Sequence, residues 1–376
     1  MPAPSTAPAA ETPAAADDPG GHPLLRPAVL GDLRLPNRVL MAPATRARAA
    51  GPGLVPDALH AAYYAQRAGA GLIVTEGTWI SEEAIGFAHV PGVYSEEQVA
   101  GWRRVTSLVH ALGGRIVLQL WHCGAASHPD LLGGALPLGP SAVDPRERAY
   151  TAAGFRPSPV PRAMTTADIA RTLADYAAAS ANARRAGFDG VEIHALGPYL
   201  IPQFLNPLLN VRTDAYGGTP AARRRFLLEV IDAVAAAWDG RRVGLRLSPC
   251  WTGTDRFPAD ARTRADYAEL VTALDAAPLA YLHLRGPESA APDLAFFAHY
   301  RALYRGPLVA NLGFDRATAT AALTAGHADA LSFAAHFIAN PDLVTRLALD
   351  LPLTPPDPAT YYTPGPHGYT DYPLSP

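Results

Sequence analysis

Short apolar runs alternate with longer amphipathic segments along most of the chain. The apolar runs are rich in Val, Ile and Leu and predict eight strands: Arg38–Pro43, Leu72–Glu76, Arg115–Leu120, Gly190–His194, Val243–Leu247, Tyr281–Leu284, Leu308–Asn311 and Ala330–Phe333. Ala-, Leu- and Arg-rich segments predict a helix after each strand, at about 57–69, 95–112, 165–186, 223–238, 262–276, 292–303, 315–325 and 341–349. Eight strand–helix units predict an α/β fold and favour one closed (β/α)8 barrel, a TIM barrel, over an open sheet.

Two segments fall outside this alternation. Residues 1–22 contain Ala, Pro and acidic residues without an apolar run, so we predict a disordered tail followed by one barrel domain over residues 23–376. The segment 124–164 is too long and too rich in Pro and Gly for an ordinary connection, and we predict that it forms a lid over the barrel mouth after the third strand. No apolar stretch reaches the roughly 20 residues that a membrane-spanning helix needs.

Composition narrows the function. A net charge of −3 provides no broad basic surface for nucleic acid, which favours a small-molecule substrate. The chain has no lysine, so lysine Schiff-base chemistry is excluded. The two cysteines, Cys123 and Cys250, are far apart and do not have metal-site or disulfide spacing. We therefore predict a cytoplasmic protein without a metal centre.

Polar or flexible residues recur where the predicted strands end. In a barrel of this type, the carboxyl ends of the strands carry the catalytic groups, while strand interiors are expected to be apolar and branched. The strand-end residues are Thr45, Glu76, Gly77, Gln119, Trp121, His122, His194 and Arg246. Their convergence on one face predicts an active site there.

Several of these residues also have structural explanations. His194 could be a satisfied core histidine, Tyr199 could be a core aromatic residue, and Arg246 could pair with Glu192. Structural ion pairs account for Glu76 and Glu192 as well as catalysis does. The run 223–225, which is three arginines, predicts a solvated helix start without a partner.

Six separated motifs resemble the old yellow enzyme family of FMN-dependent ene-reductases. They appear in the family's order and at compatible spacing. The motifs are NRVLMAPATR (37–46), TEGTWIS (75–81), QLWHCG (119–124), GVEIHALGPYLIPQFLNPLLNVRTDAYGG (190–218), VGLRLSP (243–249) and ANPDL (339–343). The resemblance covers nearly everything after residue 22, and it implies a flavin across the barrel mouth that is reduced by NADPH or NADH.

The resemblance assigns flavin contacts residue by residue. It implies that Pro43, Ala44 and Thr45 line the flavin ring and that Gly77 allows close backbone approach. It also implies that Gln119 and Arg246 hydrogen-bond the pyrimidine end, where an arginine stabilises the negative charge that appears on reduction.

The resemblance also assigns substrate contacts. It implies that His194 donates to the substrate carbonyl oxygen and that Tyr199 protonates the α-carbon as a general acid. Tyr362 matches a family tyrosine near the binding cleft.

The sequence departs from the family pattern at three places. The family's second carbonyl donor, a His or Asn, is Gly197 here, and we expect His122 to compensate or the substrate to be held differently. The Gly-Arg pair that grips the flavin phosphate is Ala334 and Ala335, which leaves the backbone amides around Gly313 as the expected anion contacts. The arginine after the third strand is Ala125. Together these changes predict a roomier, less polar site and a bulkier substrate.

Three hypotheses follow. The first is an FMN-dependent oxidoreductase that uses NAD(P)H to reduce an activated C=C bond of an α,β-unsaturated carbonyl compound. The second is a barrel with weak or no flavin binding that uses His194 and Tyr199 for isomerisation or cyclisation. The third is a noncatalytic binding protein. Retention of Thr45, Gln119 and Arg246 favours the first, and we expect a monomer or homodimer.

Overall fold

The computed structural model describes residues 21–289 and 291–375, and its centre is a closed barrel of parallel strands. The predicted tail lies, for residues 1–20, outside the described residues. The barrel strands are β1 (Val39–Met41), β2 (Leu72–Trp79), β3 (Ile116–Trp121), β4 (Gly190–Ala195), β5 (Val243–Leu247), β6 (Leu279–Arg285), β7 (Leu308–Asn311) and β8 (Ala330–Phe333). Each strand pairs with the next along the chain, and β8 pairs with β1 to close the cylinder. The predicted TIM barrel is confirmed.

Helices surround the barrel. They are α1 (Ala58–Ala65), α2 (Glu96–Ala111), α3 (Thr166–Arg185), α4 (Leu200–Leu205), α5 (Pro220–Arg223), α6 (Arg225–Ala235), α7 (Ala261–Leu274), α8 (Leu294–Leu303), α9 (Arg316–Thr324), α10 (Ala335–Ala339) and α11 (Leu343–Leu349). All eight predicted helical regions contain a helix, although the region 223–238 begins earlier and divides into α5 and α6. Among the described residues, no helix is both long and apolar enough to cross a bilayer.

Two helix starts show how the sequence sets these boundaries. Ser95 caps α2, and its side chain accepts a hydrogen bond from the Gln98 amide while the Gln98 side chain returns to the Ser95 backbone. The cap of α3 is Thr165, whose hydroxyl accepts from the Asp168 amide at 3.1 Å. The adjacent threonine, Thr166, is therefore the first helical residue.

Alternation along the strands divides the core into two layers. Outward residues pack against the helices, as Ile116, Leu118 and Leu120 do on β3, while Val117 points inward. A short hairpin, Ala28–Leu30 paired with Leu33–Leu35, packs its leucines against the inner layer and closes the amino-terminal end of the barrel. The site therefore has one open end to occupy.

The middle of the barrel interior is polar. The fully buried Glu192 carboxylate accepts hydrogen bonds from Gln119 Nε2 at 2.8 Å, from Tyr281 at 3.0 Å and from His283 Nδ1 at 2.8 Å. His283 Nε2 lies 2.7 Å from the Ser332 hydroxyl on β8. The expectation of an apolar, branched interior is wrong here, because a closed hydrogen-bond network satisfies these buried groups.

The carboxyl-terminal segment is fastened to the residues that follow β1. The buried Arg46 donates to the carbonyl of Gly368 at 2.7 Å. Arg48, also buried, donates to the carbonyls of Thr360 at 2.9 Å and Tyr361 at 2.6 Å. The rings of Tyr63 on α1 and Tyr369 stack with centroids 4.0 Å apart. We call residues 360–369 the terminal clasp.

The segment 124–164 is ordered by strand pairing. Arg148–Thr151 and Gly154–Pro157 form a hairpin, and Leu138–Gly139 pairs with Arg162–Ala163. The hairpin residue Tyr150 stacks on Phe87 at 4.6 Å, and both rings lie beside Tyr362 of the terminal clasp. An aromatic cluster thus joins the segment to two other parts of the barrel mouth.

Candidate active site

The residues after β1 form an open surface. Pro43, Ala44 and Thr45 are partly exposed, although Ala42 and Arg46 on either side are fully buried. Among the described residues, nothing hydrogen-bonds the Thr45 hydroxyl. A backbone stretch that is exposed between buried neighbours, with a free hydroxyl, offers a floor for a ligand at the carboxyl end of the barrel.

Gly77 makes room for an aromatic stack on the next two strands. A Cβ at Gly77 would lie 2.4 Å from the ring of Trp121. The Trp121 ring stacks on Trp79 at 4.4 Å and on His194 at 5.3 Å, with an interplanar angle of 15° to the imidazole. The absence of a side chain at Gly77 therefore fixes the tryptophan that supports His194.

His194 and Tyr199 lie together at the end of β4. Their ring centroids are 5.1 Å apart in an edge-to-face arrangement, and both side chains are partly exposed. Burial, followed by the charge of Arg246, lowers the pKa of His194 to about 3, so its imidazole is neutral near pH 7. Burial raises the pKa of Tyr199 well above its usual value. Each ring therefore holds a proton that it can donate.

Gly197 lies between these two residues in the chain. Its φ of +74° belongs to the left-handed region, and a Cβ there would lie 3.1 Å from the Tyr199 ring. The Tyr199 ring thus packs close to the glycine backbone. A larger residue at this position would displace the ring, so Gly197 determines where the phenol lies as well as removing a donor.

Gln119 and Arg246 are held from below and from the side. Gln119 donates to Glu192 in the interior network, and Arg246 donates to Asn311 Oδ1 on β7 at 2.9 Å. The proposed Arg246–Glu192 hydrogen bond does not form. Burial lowers the pKa of Arg246 to about 10, so the guanidinium stays charged at neutral pH. Its Nε and the Nδ1 of His194 are buried atoms without a partner in the described protein.

The ends of β7 and β8 present backbone groups near each other. Leu312 and Gly313 have φ values of +91° and +79° and form a tight turn after β7. Ala334 and Ala335 begin α10 after β8, and Ala335 is exposed. His336 beside them has its pKa lowered by burial, so it supplies no full positive charge near pH 7.

His122 and Tyr362 occupy opposite edges of the mouth. His122 is 2% exposed, and its Nδ1 accepts a hydrogen bond from the Gly124 amide at 2.9 Å, so this ring supports the turn after β3. Burial lowers the pKa of His122 to about 3. Tyr362 is 40% exposed within the aromatic cluster.

Three residues that the sequence interpretation left without a role belong to this site. Trp121 supports His194, Asn311 orients Arg246, and Glu192 orients Gln119. Asn311 was detectable, because it ends the predicted seventh strand as Arg246 ends the fifth. The inward position of Glu192, two residues before His194, follows from strand alternation.

Comparison with known proteins places this geometry in a family. The family model described as NADH:flavin oxidoreductase / NADH oxidase matches residues 23–354. The chain is 40% identical over 359 residues to a probable flavin mononucleotide-dependent alkene reductase of Leishmania infantum, covering 93% of this chain and 97% of that protein. It is 39% identical to 12-oxophytodienoate reductase 7 of Oryza sativa subsp. japonica, covering 94% of each.

A solved structure gives the same result in three dimensions. The structure of morphinone reductase superposes with a TM-score of 0.89 at 42% identity, covering 94% of this chain and 97% of that one. Another solved structure is that of an asparagine-to-alanine variant of morphinone reductase in complex with tetrahydroNAD, with a TM-score of 0.88 and 43% identity, covering 94% of this chain and 98% of that one. The chain belongs to the NADH:flavin oxidoreductase / NADH oxidase family, which contains the old yellow enzymes.

Proposed function

We propose that the protein is an FMN-dependent ene-reductase that uses NADPH or NADH to reduce the activated C=C bond of an α,β-unsaturated carbonyl compound. The observation that carries this proposal is the pair of neutral proton donors, His194 and Tyr199, beside the open floor at Pro43–Thr45. The names of the relatives, an alkene reductase and 12-oxophytodienoate and morphinone reductases, support the same chemistry. They do not favour isomerisation or cyclisation without flavin.

The residues present fit a flavin. Arg246 keeps a charged guanidinium whose Nε lacks a partner, and Thr45 keeps a free hydroxyl at the floor. We propose that Pro43, Ala44 and Thr45 contact the ring, with Gln119 and Arg246 at its pyrimidine end. The turn at Gly313 and the amides at Ala334 and Ala335 would then face the phosphate.

The residues of the chain then divide the reaction. The chemistry that FMN supplies when bound is storage of a hydride from NADPH or NADH and its delivery to the substrate β-carbon. His194 donates its N–H to the carbonyl oxygen, where negative charge accumulates. The neutral imidazole suits this role, as its low pKa keeps it from being a cation before the reaction. Tyr199 gives its proton to the α-carbon, which completes addition across the double bond.

We propose that the substrate is bulkier and less polar than a simple cyclic enone. Gly197 and Ala125 leave space where the family pattern has polar side chains. His122 lies beneath the surface, so we propose that it acts through the turn at Gly124, with Tyr362 bordering the substrate. We expect a monomer or a homodimer.

The direct test is the visible spectrum of the purified protein before and after addition of FMN, followed by NADPH oxidation with 2-cyclohexenone. We expect flavin absorbance that is bleached by NADPH and restored by the enone. A protein that stays colourless after FMN titration contradicts the proposal.

Replacement of His194 with alanine tests the carbonyl donor. Loss of one donor to a developing oxyanion costs about 2.7–4 kcal/mol, so we expect reoxidation by the enone to slow by about two to three orders of magnitude. His194→Gln, which keeps an N–H donor, should recover part of the rate. Stopped-flow measurement of the reoxidation step distinguishes the two variants, and equal rates in both would show that hydrogen-bond donation is not the role of His194.

Restoration of an arginine at residue 335 tests the phosphate end. Hydrogen bonds to a charged group contribute about 1.5–3 kcal/mol, so Ala335→Arg should lower the Kd for FMN about tenfold to a hundredfold. Fluorescence titration of the apoprotein measures this, and Ala321→Arg on the exposed face of α9 is the matched control. An unchanged Kd in Ala335→Arg would show that the phosphate does not lie at α10.

A further inference from the structure

A lateral cavity lies beside the proposed active site. It encloses about 650 Å³ between the loops that follow β4 and β5 and the helix α7. Its walls are mainly apolar and aromatic and include Pro202, Leu205, Trp251, Phe257 and Leu270. Its volume is within the range of roughly 300–1,000 Å³ that is usual for small-molecule sites.

The cavity adjoins the two strands that carry the site. His194 and Arg246 are paired neighbours on β4 and β5. Gly197 and Ser248, which follow them three and two residues later, both line the cavity. A molecule bound at His194 is therefore separated from the cavity by the backbone at Gly197, where there is no side chain.

The charged groups of the cavity are already paired. Arg223 is 1% exposed and donates to Asp266 at 2.5 Å, to the Leu205 carbonyl at 2.8 Å and to the Gly218 carbonyl at 2.7 Å. The prediction that Arg223 is a solvated residue without a partner is therefore wrong. Arg224 lies 3.8 Å from Glu269. With its charges compensated, the cavity favours a neutral ligand, since a charged one would lose hydration without gaining a partner.

One polar group in the wall remains available. The Tyr267 hydroxyl has no hydrogen-bond partner among the described residues. Burial raises the pKa of Tyr267 above its usual range, so the phenol keeps its proton and can donate. A tyrosine hydroxyl in an apolar wall favours a ligand with one acceptor, such as a carbonyl, hydroxyl or ether oxygen.

We propose that the lateral cavity binds the apolar remainder of the substrate while the activated alkene lies at His194 and Tyr199. This inference rests on the proposed ene-reductase function. The substrate class that it specifies is a neutral enone with a ring-sized or longer apolar extension that carries one hydrogen-bond acceptor. Gly197 then acts in specificity, because its bare backbone lets the extension pass from the site to the cavity.

The test compares 2-cyclohexenone with a cyclohexenone that carries a methoxyphenylalkyl extension. Leu205→Trp fills the cavity, and we expect the ratio of kcat/KM for the extended enone over that for 2-cyclohexenone to fall about tenfold, chiefly through KM. Tyr267→Phe removes only the hydroxyl and should lower the same ratio about fivefold, the effect of one hydrogen bond. Leu208→Trp, on an exposed side chain in the same segment, is the matched control and should leave the ratio unchanged.

Binding of the saturated ketones, which cannot be reduced, gives an independent readout by isothermal titration. We expect the wild type to bind the extended ketone more tightly than cyclohexanone and both cavity variants to lose that preference. If neither variant changes the ratio or the binding preference, the cavity does not hold the substrate. If the wild type reduces neither enone, the proposed function fails instead, while the titration still reports on the cavity.

Discussion

Replacement of Tyr199 with phenylalanine is expected to slow substrate reduction by about two to four orders of magnitude, the usual contribution of a positioned general acid. The rate at which NADPH bleaches the bound flavin should stay near that of the wild type, because the phenol takes no part in that half-reaction. The ring of Tyr199 is held edge-on by Trp121 at 4.8 Å and by His194 at 5.1 Å. Phenylalanine preserves both contacts, so only the proton is lost.

Single-turnover kinetics of the two half-reactions separates these steps. Tyr94→Phe is the matched control, since Tyr94 lies on the loop before α2 and its hydroxyl has no partner in the described protein. Equal slowing of both half-reactions in Tyr199→Phe would contradict the assignment of a proton donor.

Replacement of Glu192 with alanine is expected to destabilise the protein by about 3–5 kcal/mol, the cost of breaking a buried charged network from one side. Burial alone would raise the pKa of Glu192, but His283, Arg246 and Gln119 together lower it, so the carboxylate is ionised. Removal of its side chain leaves Gln119, Tyr281 and His283 without their acceptor in the barrel interior. It also removes the negative charge that compensates Arg246.

Urea unfolding followed by circular dichroism measures this effect. Tyr281→Phe removes one hydrogen bond from the same carboxylate and should cost only about 1 kcal/mol, which makes it the internal reference. A loss below about 1 kcal/mol in Glu192→Ala would mean that the network contributes specificity of flavin placement rather than stability.

Sequence patterns predicted the scaffold because the barrel repeats one physical rule eight times. Three of its strands, β5, β7 and β8, have the predicted bounds, since apolar runs there end at turn residues on both sides. The strand β2 extends beyond its predicted end at Glu76 as far as Trp79, so Gly77 lies inside it. Gly77 suggested a strand end, but the glycine is needed to admit the ring of Trp121.

The candidate site was harder to predict, because its geometry depends on contacts between distant strands. Alternation placed Glu192 on the inward face, but nothing local indicated that Gln119, Tyr281 and His283 would converge on it. The pairing of Arg223 with Asp266 was missed for the same reason, since its partner lies 43 residues away on α7. Spacing predicted which residues share an end of the barrel, while burial and long-range partners determined what each one does there.

The terminal clasp joins the first barrel unit to the last residues of the chain. Arg46 and Arg48 follow the first strand to be synthesised, and they donate to carbonyls that lie more than 300 residues later. During translation those guanidinium groups must remain hydrated, because their acceptors have not yet left the ribosome. The opening end of the barrel can therefore acquire its final packing only after chain release, which makes completion of the active-site floor a post-translational event.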